Sequence, residues 1–180
     1  MTSEPDQAVL VEAPAPGRLI RVELQTPSTV ALSPLQEADR ARAIADLQAE
    51  ASFAPIFPAA LRREREAAAA ATVFALHLSV IQGRLVFDIR EPDGAPLVAH
   101  GLSLKPFRPL VRDYALLVSS YEAAVEEGRG ERLQAIDMGR RGLHDEGARL
   151  VVERLAGKIV VDFATARRLF TLICVLYQRD

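Results

Sequence analysis

The sequence contains no tryptophan, one cysteine, two methionines and three histidines. A lone thiol, Cys174, rules out a disulfide within the chain and with it the stapled scaffolds of small secreted domains. A reducing, cytoplasmic compartment is the expectation. The first residues, Met1 to Gln7, carry Glu4 and Asp6 and no basic cluster, so a signal peptide is not expected. Long apolar runs are absent too. The longest near the C-terminus, Leu169 to Tyr177, falls well short of the roughly 20 residues a membrane span needs, so the chain reads as soluble, with no membrane partner. No GxxxxGK[ST] loop occurs, which removes a nucleotide P-loop. Ser79, Ser103 and Ser119 lack the setting of a nucleophile elbow. Lysine is scarce: only Lys105 and Lys158 interrupt an otherwise arginine-only set of 22 basic side chains. Arginine is the better bidentate partner for carboxylates and phosphates, although a genome-wide codon preference would give the same count. Acidic groups number 24, for a net charge of −2. The basic excess of a dedicated nucleic-acid binder is missing, and nucleic acid is not the expected partner.

What is present suits one folded unit. A chain of 180 residues buries roughly 70% of its unfolded surface without help from metal or disulfide. Residues 1–17, with Pro5, Pro14 and Pro16, read as a flexible tail before a single domain over 18–180. Ile20, Val22 and Leu24 alternate with Arg21 and Glu23, the pattern of a half-buried strand. Ser33-Pro34 with Gln36 is a capping box opening a helix to about Ala51, with Leu35, Ala38, Ile44 and Leu47 on or near one face. Pro55 and Pro58 end that region; residues 59–71 read either as helix or as part of a mobile insertion over 54–71. Phe74, Leu76, Leu78 and Val80 alternate, as do Leu85, Phe87 and Ile89, around a Gln82-Gly83 turn. That register opposes Val80 to Leu85, Leu78 to Phe87, Leu76 to Ile89 and, on the other face, His77 to Asp88. A third strand over about Leu97–Leu104 follows the Pro92-Asp93-Gly94 turn and places His100 opposite Phe87 on the core face. Pro106 or Pro109 opens a long helix carrying Phe107, Leu110, Tyr114, Leu117, Tyr121 and Val125, ended by Gly128 and Gly130. A further helical segment begins near Glu131, where Gly139, Gly142 and Gly147 are expected to interrupt or bend it. Gly157 is a C-cap, and Asp162 an N-cap for a last helix that is apolar nearly all round. That last helix could lie in the core or form half of a homodimer interface.

The chemistry concentrates in residues 137–149. Asp137, Arg140, Arg141, His144, Glu146 and Arg149 stand there among three glycines. A glycine-flanked turn beside arginines can hold a phosphate or carboxylate; on a continuous helix Asp137 and Arg141 would instead pair at i,i+4, with Arg140 and His144 on one side. Asp137, His144 and Glu146 match no metal-ligand spacing, so no metal site and no cofactor is assigned. Cys174, amid Leu172, Ile173 and Val175, reads as a buried structural thiol. Arg149, Arg154, Lys158, Arg167 and Arg168 around Lys158–Val161 weakly suggest a helix-turn-helix, but the following helix is too apolar to be an exposed recognition helix.

Several of these stretches resemble one family. Ala135 to His144, Glu146 to Arg149 and Thr165 to Leu176, together with Leu85–Ile89 and Leu102–Arg108, are similar to the bacterial uncharacterised protein family 0262 over about residues 18–177. The resemblance implies an intracellular bacterial protein and brings no reaction, ligand or catalytic residue. The residues themselves point to an α+β fold: a small antiparallel sheet of three to four strands, a meander, packed on one face by helices, with a C-terminal helical pair. They also point to a non-enzymatic binding or regulatory module whose segment 137–149 meets an anionic or protein partner. The alternative is an enzyme on a phosphorylated or carboxylated small molecule, using Asp137, Arg140, Arg141 and His144.

Overall fold

The computed structural model describes residues 14–25 and 31–177. In chain order these form β1 (Arg18–Gln25), α1 (Pro34–Glu50), β2 (Phe53–Pro55), α2 (Ala59–Ala67), β3 (Val73–Ile81), β4 (Arg84–Arg90), β5 (Pro96–Ser103) and a 3-10 turn (Lys105–Phe107). After it come α3 (Arg108–Glu126), α4 (Gly130–Leu155), β6 (Ile159–Val161) and α5 (Phe163–Leu176). The tail read over residues 1–17 lies outside the described residues as far as residue 13; Gly17 is already pinned to Phe53 by two backbone hydrogen bonds of 2.9 Å.

The hairpin follows from alternation alone. β3 and β4 pair antiparallel with Leu76 opposite Ile89, His77 opposite Asp88, Leu78 opposite Phe87 and Val80 opposite Leu85, and Leu76, Leu78, Leu85, Phe87 and Ile89 are fully buried. Gln82 and Gly83 both take positive φ, the backbone twist of a two-residue hairpin turn. β5 joins β4 with Val98 opposite Ile89, His100 opposite Phe87 and Leu102 opposite Leu85.

The sheet is α+β as expected, but not a simple meander. Its order is β1-β3-β4-β5, and β1 runs parallel to β3. A parallel neighbour requires a crossover; here the chain between the two strands holds α1, β2 and α2. The register of β1 shifts between Leu19 and Arg21. This irregularity turns Leu19 inward and leaves Ile20 42% exposed, correcting the plain alternation read from residue 20.

Two short strands escape the sequence pattern. β2 and β6 pair antiparallel, Phe53 with Val161 and Pro55 with Ile159. Because β6 lies between α4 and α5, the helix-turn-helix reading is excluded.

The helices start where their caps put them. Ser33 and Gln36 make the reciprocal capping box of α1, and Asp162 accepts from Thr165 N–H at the start of α5. Leu47 is fully buried on α1, but Ala38 is exposed and its neighbour Asp39 is buried. α5 is buried at every position from Leu169 to Leu176: its apolar surface is spent inside the monomer, so it is a core element.

α4 corrects the expectation of a broken segment. It is one continuous helix of 26 residues. Its glycines have different reasons to be there. At Gly147 a Cβ would overlap the Phe170 ring, so the missing side chain lets α4 close onto α5; at Gly142 a Cβ would meet nothing within 4 Å. Gly142→Ala is therefore expected to stabilise the protein by about 1 kcal/mol, and Gly147→Ala to destabilise it by about 1–3 kcal/mol. Urea denaturation of both variants checks this, and a shift of the same sign in both would contradict it.

Candidate functional site

α1, α4 and α5 enclose an open cleft of about 520 Å³, within the size range of small-molecule sites. Five arginines (Arg42, Arg140, Arg141, Arg167, Arg168) and three aspartates (Asp39, Asp46, Asp137) line it, together with His144.

The wall is built around Asp39. This carboxylate is only 9% exposed. It accepts from the Tyr114 hydroxyl at 2.8 Å and from the Arg140 guanidinium at 2.6 Å, so one side chain ties α1 to both α3 and α4. A buried carboxylate is tolerated only when its oxygens are satisfied, and here each of the two has a donor. Burial first, then the negative charge of Asp39, raises the Tyr114 pKa far above its ordinary value. Tyr114 is thus held as a neutral phenol donor.

His144 lies next to this pair, one helical turn after Arg140. Its Nδ1 is 2.8 Å from the Arg140 carbonyl oxygen. A carbonyl can only accept, so Nδ1 carries the ring proton and Nε2 keeps a lone pair. The ring meets Tyr114 and Phe170 edge to face, with centroids 5.9 and 5.6 Å away. Desolvation lowers the His144 pKa from 6.5, the hydrogen bond to the Arg140 carbonyl opposes that shift, and the Arg140 charge adds to it.

The rim is salt-bridged. Arg141 pairs with Asp137 at 3.0 Å, Arg167 with Asp145 at 2.7 Å, and Arg168 with Asp46 at 3.1 Å and Glu50 at 3.3 Å. Arg42 has no acidic partner among the described residues.

Of the residues singled out from sequence, Asp137, Arg140, Arg141 and His144 come together in the cleft. The setting is a helix face, not a glycine turn offering backbone N–H groups. Glu146 and Arg149 are exposed and do not line the cleft. Asp137, His144 and Glu146 therefore do not form one ligand set, and among the described residues no group of three or more His, Cys, Asp or Glu is placed to hold a metal ion. His77 stands opposite Asp88 but reaches Glu23, at 3.5 Å, while Asp88 binds Arg90. His100 Nε2 is buried without a partner, and burial followed by the Lys158 charge lowers its pKa. The Cys174 thiol is buried, and desolvation pushes its pKa up.

The whole α1 wall was missed from sequence: Asp39, Arg42 and Asp46. A signal existed. Asp39 falls at four-residue steps with Leu35, Ala43 and Leu47, so an acid interrupts the apolar stripe of α1 and needs a partner.

The model of an uncharacterised protein family, UPF0262, matches residues 16–179. The chain belongs to the UPF0262 family. A UPF0262 protein of Granulibacter bethesdensis is 50% identical, with 99% of each chain covered. One from Acidiphilium cryptum is 55% identical over 91% of this chain and 94% of the relative. A Bradyrhizobium relative is 48% identical over 91% of each. No solved structure matches. In this UPF0262 chain, no helix among the described residues is long and apolar enough to cross a membrane.

Two outcomes follow for the buried network. Asp39→Ala leaves Tyr114 and Arg140 without their shared acceptor and is expected to cost about 3 kcal/mol; Asp39→Asn, which keeps one acceptor oxygen, is expected to cost less. Equal urea midpoints for wild type and Asp39→Ala would refute the assignment. For His144 the sign follows from its lowered pKa: below 6.5 the unfolded chain takes up a proton that the folded one resists, so stability falls with falling pH. The loss from about pH 7 to about pH 5 is expected to be smaller in His144→Phe than in wild type. Parallel stability–pH curves would count against it.

Proposed function

We propose that this chain is a binding or regulatory module that takes an anionic group, of a small molecule or of a protein partner, into the cleft between α1, α4 and α5. The observation that carries this reading is the convergence of five arginines against three aspartates on one concave surface, with Arg42 free of any acidic partner among the described residues. Arginine offers planar, bidentate donors suited to carboxylate and phosphate. Arg42 and Arg141 would meet the ligand first, since both are exposed; Arg140 is committed to Asp39 and shapes the wall.

The test is thermal denaturation with added citrate or pyrophosphate, against sodium chloride at equal ionic strength. Wild type is expected to melt higher as the anion concentration rises, and a folded Arg42→Ala/Arg141→Ala double variant much less so. Equal shifts in both proteins would remove the reading.

A second reading is an enzyme on a phosphorylated or carboxylated small molecule. One observation favours it: Asp137, Arg140, Arg141 and His144 share a concave cleft in which His144 is held as a neutral base. Turnover in a screen of such molecules, lost in His144→Gln, would establish it; binding without turnover would favour the module.

A further inference from the structure

His144 lines the cleft and is 7% exposed. Its Nδ1 is taken by the Arg140 carbonyl, so only Nε2 is left to meet a ligand, and Nε2 offers a lone pair rather than a proton. A fully ionised oxyanion has nothing to donate to it, and placing one there sets lone pair against lone pair in a poorly hydrated spot. The aspartates work in the same direction. Asp39, Asp46 and Asp137 stand among the arginines, so the cleft presents acceptors as well as donors. The matching ligand has both.

We propose that the cleft selects free phosphate, which still carries a proton near neutral pH, over oxyanions that carry none, with His144 Nε2 accepting the ligand's O–H. The inference rests on the reading of the cleft as an anion site. Arg42 and Arg141 supply the charge that holds the anion; His144 is the specificity-determining residue. Phosphate retains a proton near neutral pH and sulfate does not, although the two are nearly the same size and shape, so the pair isolates the acceptor. Leaving an acceptor and a ligand oxygen unsatisfied costs enough to separate the two anions by about tenfold or more.

Isothermal titration of the full chain near neutral pH decides the matter. Wild type is expected to bind phosphate about tenfold or more tightly than sulfate. In His144→Phe, chosen because the ring sits between Tyr114 and Phe170, the preference is expected to collapse while sulfate affinity holds. Equal affinity of wild type for both anions overturns this inference and leaves the anion site standing; binding of neither overturns the site as well. Methyl phosphate loses its second proton at about pH 6 and is largely fully ionised at neutral pH, so it is expected to bind about as weakly as sulfate; binding as tight as that of phosphate overturns the requirement for a ligand proton. A measurement on wild type covers the case in which the variant does not fold. In ¹⁵N-histidine NMR, His144 is expected as the Nδ1–H tautomer, with its Nε2 resonance moved by phosphate and not by sulfate. A proton on Nε2 in the free protein, or an Nε2 that ignores phosphate, overturns the proposal.

Discussion

The arrangement depends on a helix that has no wet side. α5 is apolar nearly all round from Leu169 onward and is buried through Leu176, so it must be surrounded. α1 and α4 flank it, and the sheet, with β1 nearest, lies beneath. Gly147 gives up its side chain to let α4 reach Phe170. Only the first turns of α5 carry charge, and there Arg167 and Arg168 reach the cleft and bind acids on α4 and α1. The cleft is where the apolar demand of α5 ends and its polar start begins.

Asp39 turns that meeting place into a defined surface. With Tyr114 on one oxygen and Arg140 on the other, it sets the spacing of three helices through charge-assisted bonds in a partly dry setting, where they are strongest. Arg140 also contributes its backbone: the carbonyl that fixes the His144 tautomer belongs to the same residue whose guanidinium holds Asp39. One arginine thus sets both the shape of the wall and the proton position on the ring beside it.

How much was readable in advance differs by element. Strand pairing from Leu76 to Leu102 was legible to the residue, because alternation, a turn signal and buried partners all specify one register. The caps at Ser33 and Asp162 were legible because they are local hydrogen bonds between near neighbours. The parallel docking of β1 and the β2–β6 pair were not, since a partner far along the chain leaves no local period, and β2 and β6 are three residues each. Glycine propensity misread α4: packing against α5 and α3 outweighs about 1 kcal/mol per glycine. Of the site, the α4 wall was legible; Arg167 and Arg168 on α5 were visible only as part of a basic cluster. The α1 wall was not, because it rests on an acid that interrupts an apolar stripe and whose meaning appears only when α3 and α4 are brought to it.

The parallel pairing of β1 with β3 has a consequence for assembly. β3, β4 and β5 are neighbours in sequence and can zip together through short turns, whereas β1 must wait for the closure of a loop that contains α1 and α2. α1 supplies one wall of the cleft, so the cleft comes into being only when that late, non-local closure is made. A molecule bound across α1, α4 and α5 would hold in place segments that meet only through non-local closure. Occupancy would be coupled to completion of the fold itself, and the ligand would act as a keystone set after the arch is raised.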